Sequence, residues 1–106
     1  MNAARKRTHL QEIALALGDP KAAERFSAAR RFLQSKLVVR REIPNGMDFL
    51  FSGETPALLS ALKDLVGIEH RVSRFLLVDY AKIDDYLLLR VIAGPEHRKT
   101  IESYFD

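Results

Sequence analysis

The chain has 106 residues, an apolar share of 47%, a charged share of 29% and a net charge of +3, which is the composition of an ordinary globular protein. Its length predicts one domain over residues 1–106 that folds without a metal. The absence of cysteine excludes disulfides, thiolate catalysis and thiol-ligated metal sites. No apolar run reaches the roughly 20 residues of a membrane span. We therefore expect a cytoplasmic protein without a secretory signal or membrane contact.

Two helices are predicted ahead of the first strand, over residues 8–36. Thr8 and Gln11 have the spacing of a capping box, in which each side chain satisfies a backbone N–H of the first turn. Gly18 ends this helix, because glycine accepts the left-handed conformation common at helix C-termini. Asp19 then begins the second helix as an N-cap in front of a proline.

The hydrophobic period changes from 3.6 to 2 at Leu37, which predicts a β-hairpin. The first strand, LVVRREI, is rich in β-branched residues, and residues 44–46 supply the turn. Asn45 followed by Gly46 accepts the positive φ angles of a type I′ turn. In the returning strand, alternation places Met47, Phe49 and Phe51 on one face and Asp48 and Leu50 on the other.

Residues 54–72 predict one long amphipathic helix between two hairpins. Thr55 is its N-cap, and Pro56 stands at the first helical position, where the missing N–H has no cost. Leucine and valine recur at helical spacing and make one wide apolar stripe. Gly67 could bend the helix or end it early.

A second hairpin follows, with FLLVDY and YLLLRVIA as strands and Asp84-Asp85 in the turn between them. Both strands carry apolar residues on both faces. This pattern predicts that the strands are central in the sheet or that a partner covers one face. Residues 95–105 predict a last helix.

The element order α-α-ββ-α-ββ-α predicts an α+β fold. Its simplest form is one four-stranded antiparallel sheet made from the two hairpins, a ββαββα core over residues 37–106, with the helices packed on one face. Leucine and valine on the second face would then be exposed. We expect a homodimer that covers them.

The sequence contains no recognisable catalytic motif. No G-x-S-x-G elbow surrounds a serine, and the five glycines are isolated, so there is no phosphate-binding loop. We therefore favour a non-enzymatic protein without a cofactor.

A small-molecule or metal-dependent site is one alternative. Glu69, His70, Asp79, Glu96 and His97 could converge, because the last helix follows a strand antiparallel to the one after the central helix. Imidazole and carboxylate together suit a divalent metal or acid–base chemistry. No two histidines have the i, i+4 spacing of a helical metal pair, so these residues are ligand candidates and no metal is assigned.

Sequence-nonspecific binding of nucleic acid is another alternative. Residues 1–53 carry ten Lys and Arg against five Asp and Glu, whereas residues 54–106 carry seven against nine. Residues 1–7 form a basic tail, and basic side chains of the first half could neutralise phosphates. The candidates are Arg5, Lys6, Arg7, Arg30, Arg31, Lys36, Arg40 and Arg41. Solvated helix faces, or attraction between the two halves or between two protomers, explain the same asymmetry.

Several short motifs occur together from Leu37 onward. They are Ile43-Pro44-Asn45-Gly46, Phe49-Leu50-Phe51, the helix from Leu58 to Glu69, Phe75-Leu76 and Gly94-Pro95-Glu96. This combination resembles a small uncharacterised bacterial family whose central helix ends E-R-R-C-C-P-F and whose last helix begins G-P-E-G. The resemblance implies a fold and a bacterial origin, and it implies no activity.

The family's two cysteines are replaced in this chain by Val72 and Ser73, so no thiol role carries over. Glu69 and Arg71 match the family's glutamate and second arginine. The resemblance implies either a buried Glu–Arg pair at the helix end or a ligand site that includes Arg71.

We interpret the chain as a non-enzymatic binding or interaction module that forms a homodimer. Its contact surface is expected on the sheet face or the leading helices. The interface candidates are Phe26, Phe32, Leu76, Val78 and Leu88. Nucleic acid is the alternative partner, and we expect no membrane partner.

Overall fold

The computed structural model describes residues 7–53 and 55–106. In chain order the elements are α1 (His9–Leu17), α2 (Pro20–Lys36), β1 (Leu37–Ile43), β2 (Gly46–Ser52), α3 (Pro56–Val72), β3 (Leu77–Ile83), β4 (Tyr86–Ile92), a 3-10 turn (Pro95–His97) and α4 (Arg98–Glu102). This is the predicted order of elements. The predicted tail lies outside the described residues except for Arg7, and so does Glu54, the predicted start of the central helix.

The four strands form one antiparallel sheet in the order β1-β2-β4-β3, which confirms the predicted α+β class and the sheet made from two hairpins. The hairpins meet through β2 and β4, so that β1 and β3 are the edge strands. The expectation that both strands of the second hairpin are central is therefore wrong for β3.

The helix ends follow the predicted capping chemistry. Thr8 and Gln11 form the capping box of α1, and Gly18 ends that helix with a φ of 60°. The Thr55 hydroxyl accepts a hydrogen bond from the Leu58 N–H and so caps α3. Gly67 does not end α3, which continues for the full 17 residues from Pro56 to Val72.

The first hairpin turn differs from the predicted type I′ turn. Ile43 pairs with Gly46, so the two central residues are Pro44 and Asn45. Only Asn45 has a positive φ, of 61°, because the proline ring holds φ near −65°. This is the residue pattern of a type II turn. Gly46 is needed for a different reason, since a Cβ there would lie 2.1 Å from the carbonyl oxygen of Val91.

The hydrophobic core lies between one face of the sheet and the helices. Phe49 and Phe51 of β2 are fully buried there, together with apolar residues of α2, α3 and the C-terminal segment. The prediction that the helices pack on one face of the sheet is correct only in part. The helices do not all lie on one face, because α1 packs against α2 and α3.

The predicted last helix is shorter than residues 95–105. It begins as the 3-10 turn and ends at Glu102. Tyr104 and Phe105 are both buried, and neighbouring residues of a regular helix point about 100° apart. Ending the helix before them lets both rings enter the core.

Candidate functional site

A buried carboxylate lies at the C-terminal end of α3. The side chain of Glu69 is fully buried, and the hydroxyls of Ser73 and Tyr104 both donate hydrogen bonds to it. His9 Nε2 lies 2.8 Å from Oε2 of the same carboxylate. An ionised carboxylate is only an acceptor, so the two hydroxyls, together with His9 when its Nε2 carries a proton, satisfy most of its hydrogen-bonding capacity.

The cluster joins parts of the chain that are far apart in sequence. The capping box sets the first turn of α1, where His9 stands as the first helical residue. Ser73 is the C-cap of α3, and its backbone N–H also bonds the Glu69 carbonyl at 2.8 Å. Tyr104 follows α4. Glu69 therefore ties the N-terminal helix and the C-terminal segment to the end of α3.

The geometry of this cluster is not that of a nucleophilic site. Ser73 donates to Glu69, and no hydrogen bond joins it to His9 among the described contacts. A serine nucleophile needs a base within hydrogen-bond reach and access to substrate, whereas Ser73 is buried. Burial, and next the negative charge of Glu69, raises the pKa of Tyr104 well above its usual value. The Tyr104 hydroxyl is therefore a donor and not a base.

The predicted convergence of Glu69 and His97 is indirect, because the rings of His9 and Phe75 lie between them. Phe75 is 42% exposed, and its centroid lies 5.9 Å from the His9 ring and 4.4 Å from the His97 ring. These three rings therefore form a chain of contacts that leads from the buried carboxylate of Glu69 through His9 and Phe75 to His97 at the surface.

The other ligand candidates lie elsewhere. His70 Nε2 lies 2.6 Å from the carbonyl oxygen of Val78, at the edge of β3. Asp79 accepts a hydrogen bond from the backbone N–H of Tyr80, and Arg71 is exposed. In residues 7–53 and 55–106, no three histidine, aspartate or glutamate side chains are placed to hold one metal ion. The candidates therefore do not form a single site.

A small cavity of about 140 Å³ lies between the first hairpin turn and the start of the last helix. Met47 and Ile101 are among its apolar lining residues, and Arg98 is at its rim. The guanidinium of Arg98 already binds Glu42 at 2.7 Å and Glu102 at 2.6 Å. Ligand pockets for drug-sized molecules are about 300–1,000 Å³, so this cavity is too small for a cofactor.

Several of the predicted phosphate-binding residues are engaged within the molecule. Arg30 donates to the backbone carbonyls of Tyr104 and Asp106. Arg40 binds the Asp106 carboxylate at 2.9 Å, and Arg41 binds Asp48 at 3.1 Å. Each of these three arginines therefore already has a partner within the protomer.

The remaining basic candidates are distributed differently. The Lys36 ammonium lies 5.7 Å from the centroid of the Phe32 ring. Arg7 and Arg31 are exposed, whereas Arg5 and Lys6 lie outside the described residues. The described basic candidates therefore do not form one surface that is free to bind phosphates.

Most of the predicted interface residues belong to the core of the protomer. Phe26, Leu76 and Val78 are buried in the core, and Phe32 is half-buried against it. A second molecule cannot contact the three buried residues on this fold. Leu88 is also buried, at 5% exposed, but it pairs with Leu50 on the face of the sheet opposite Phe49 and Phe51.

That opposite face, which we call the outer face, is ordered in rows that cross all four strands. Its charged row is Arg41, Asp48, Arg90 and Asp79, from β1 to β3. On one side lies the row Ile43, Gly46, Ile92 and Leu77, and on the other lies the row Val39, Leu50, Leu88 and Ala81. A charged row is therefore flanked on both sides by rows without charge.

The charged row is held by a buried aspartate. Asp48 is fully buried and accepts two hydrogen bonds from Arg90, at 2.7 and 2.9 Å, and one from Arg41 at 3.1 Å. The bonds from Arg90 lower the pKa of Asp48 in spite of burial, and Arg41 adds to this effect. Sequence alternation placed Asp48 and Leu50 on one face, but it could not show that Arg90 stands beside Asp48.

Searches of family models, of curated proteins and of solved structures find no match for this chain. Within the described residues, no helix is long and apolar enough to cross a membrane. The resemblance to the small bacterial family stays a prediction.

Proposed function

We propose that this protein is a non-enzymatic interaction module and that it forms a homodimer through the outer face of its sheet. The proposal depends on one observation, the apolar exposure of that face. Leu77 is 65% exposed, Val39 45%, Tyr86 41% and Ile83 39%. Removing such side chains from water favours association.

Charge on the outer face supports a second copy as the partner. Arg41 and Arg90 are balanced by Asp48 and Asp79, so the charges of this row sum to zero. A surface that binds nucleic acid carries an excess of Lys and Arg. A neutral face with apolar flanks fits a partner of the same composition.

The size of the face sets the expected affinity. Four strands of seven residues cover about 19 by 24 Å at the usual strand spacing and rise. A dimer through this face would bury on the order of 900 Å² in total, which is below the range of stable specific interfaces and in the range of weak or transient ones. We therefore expect a dissociation constant in the micromolar range.

Light scattering over a range of concentrations tests the proposal. The wild type should pass from monomer to dimer, and Leu77→Lys should raise the dissociation constant at least about tenfold, because the dimer buries this position twice. Leu15→Lys is the matched control, since Leu15 is 59% exposed but lies on α1. A wild type that stays monomeric at millimolar concentration would exclude the dimer.

The nucleic-acid alternative has less support, because Arg30 and Arg40 already have partners in the protomer and the charges of the outer face sum to zero. Binding to mixed oligonucleotides that weakens with salt, and weakens further in Arg30→Ala with Arg31→Ala, would favour it. The bacterial origin and cytoplasmic location expected from the sequence stay predictions.

A further inference from the structure

We infer that the charged row of the outer face sets the orientation of the homodimer, with the two-fold axis parallel to the strands and between β2 and β4. This inference depends on the proposed dimer and specifies its geometry. Arg41 of one protomer then lies opposite Asp79 of the partner subunit. Asp48 faces Arg90 of the partner subunit without contacting it, because Asp48 is fully buried in its own protomer.

The argument begins with the order of charges along the row. From β1 to β3 the row reads positive, negative, positive, negative, as Arg41, Asp48, Arg90 and Asp79. Reversing this order exchanges every positive position with a negative one. A partner that presents the row in reverse is therefore complementary at all four positions.

Symmetry allows two main ways to pack this face against its copy. In a face-to-face dimer the two-fold axis lies in the plane between the two sheets, because each subunit uses the same patch. An axis parallel to the strands keeps each row opposite itself and reverses the strand order. The charged row then meets its copy with opposite signs facing, and each flanking row meets its own copy.

An axis across the strands gives the opposite result. If it passes through the charged row, Arg41 faces Arg41 of the partner subunit and Asp48 faces Asp48 of the partner subunit. If it passes elsewhere, the charged row faces a row without charge, and its outer residues Arg41 and Asp79 are buried without a charged partner in the other protomer. Like charges brought together at an interface cost several kcal/mol, so this orientation is disfavoured.

The side chains of the row have hydrogen-bonding groups left for a partner. Among the described contacts, Arg41 uses one N–H group, on Asp48, of the five that a guanidinium carries. Asp79 uses Oδ1 on the N–H of Tyr80, which leaves Oδ2. Arg41 is also more than half exposed. The outer pair of the row, Arg41 and Asp79, is therefore free to form the contact between protomers.

A charge-reversal mixture tests the orientation. Arg41→Glu alone places Glu opposite Asp79 of the partner subunit, and Asp79→Lys alone places Lys opposite Arg41 of the partner subunit. Each variant should raise the dissociation constant for self-association at least about tenfold. When the two variants are mixed, every position is again complementary, so a heterodimer of about wild-type affinity should form.

Matched controls reverse charges away from the sheet. Arg31→Glu on α2 and Asp64→Lys on α3 change exposed residues and should leave dimerisation unchanged. Circular dichroism checks that each variant folds.

A second measurement does not depend on Arg41→Glu folding beside Asp48. The chain has no cysteine, so single cysteines are unique labels. Val39 on β1 should face Ala81 of the partner subunit on β3. A short bismaleimide should therefore join Val39→Cys to Ala81→Cys in a mixture, far more than it joins either variant to itself.

The outcomes separate this inference from the dimer itself. Recovery in the mixture together with the mixed cross-link supports the orientation. If Leu77→Lys is monomeric while both charge variants dimerise as the wild type does, the face is correct and the orientation is wrong. Loss of self-association in Arg41→Glu and in Asp79→Lys, without recovery when the two are mixed, also overturns the orientation. A wild type that is monomeric at all concentrations overturns the dimer and the orientation together.

Discussion

Tyr104→Phe removes one donor from the buried carboxylate of Glu69 and leaves the aromatic packing in place. The Tyr104 ring lies 5.0 Å from the ring of Phe105 and 6.0 Å from that of Phe49, centroid to centroid. Phenylalanine keeps both contacts. The change therefore measures the hydroxyl hydrogen bond to Glu69 nearly alone.

The expected loss follows from the burial of both partners. Glu69 and Tyr104 are both buried, so water cannot replace the missing donor. A hydrogen bond to a charged group contributes about 1.5–3 kcal/mol, and we expect a loss of that size in the free energy of unfolding. For a domain of this length the midpoint of thermal unfolding should fall by roughly 6–20 °C.

Urea unfolding followed by circular dichroism measures this loss. It should be done at pH 7 and at a protein concentration too low for dimerisation. The control is Tyr86→Phe, because Tyr86 is 41% exposed and loses only a hydroxyl near water; a surface change of this kind alters stability by less than about 0.5 kcal/mol. If Tyr104→Phe is as mild as the control, Glu69 does not need this donor and the account of the cluster is wrong.

Three further predictions concern the glycines and the buried aspartate. Gly67→Ala should raise the free energy of unfolding by about 0.5–1 kcal/mol, because a Cβ there meets no atom within 4 Å in an exposed helix interior; a loss in urea unfolding would contradict this. Gly46→Ala should lower the free energy of unfolding by about 1–3 kcal/mol, since a Cβ at position 46 would overlap the carbonyl oxygen of Val91. Folding lowers the pKa of Asp48, so its contribution is present above the unfolded pKa of about 3.9 and is lost as pH falls through the folded value. Asp48→Asn should therefore lower the free energy of unfolding by about 1 kcal/mol at pH 7. Urea unfolding of this variant should also show a weaker fall in stability between pH 5 and pH 2 than that of the wild type. An unchanged pH profile would refute this role of Asp48.

Features of the fold that depend on neighbouring residues were predictable from the sequence. The capping box at Thr8, the left-handed Gly18 and the N-cap Thr55 each act over three or four residues. Strand alternation likewise gave the correct faces of β2. These signals lie within a few residues of the feature that they determine, so the local sequence is sufficient to predict that feature.

Features that depend on another part of the chain were not predictable. The turn at Pro44 and Asn45 is set by the pairing of Ile43 with Gly46, and Gly46 in turn lies against β4. The length of the last helix is set by the burial of Tyr104. Each outcome needs the position of a second element, which periodicity does not contain.

The buried cluster shows the same limit for a site. Glu69 was a candidate from its sequence context, but two of its partners, His9 and Tyr104, lie 60 and 35 residues away. Ser73 alone had a sequence signal, since residues four apart share one face of a helix. A carboxylate in an otherwise apolar helix face indicates that donors must come from elsewhere, without indicating which ones.

The uneven charge of the two halves suggested either an anionic partner or attraction between the halves. Among the described residues, three salt bridges of arginine join the halves, and of these only the one between Arg40 and Asp106 pairs a base of the first half with an acid of the second. In the other two, Glu42 and Asp48 of the basic half bind arginines of the acidic half. Net charge per half therefore did not select these pairs; their positions in the fold did. The same reasoning applies between protomers, where a row whose charges sum to zero can still determine how two copies meet, because the order of its charges is complementary only to its own reverse.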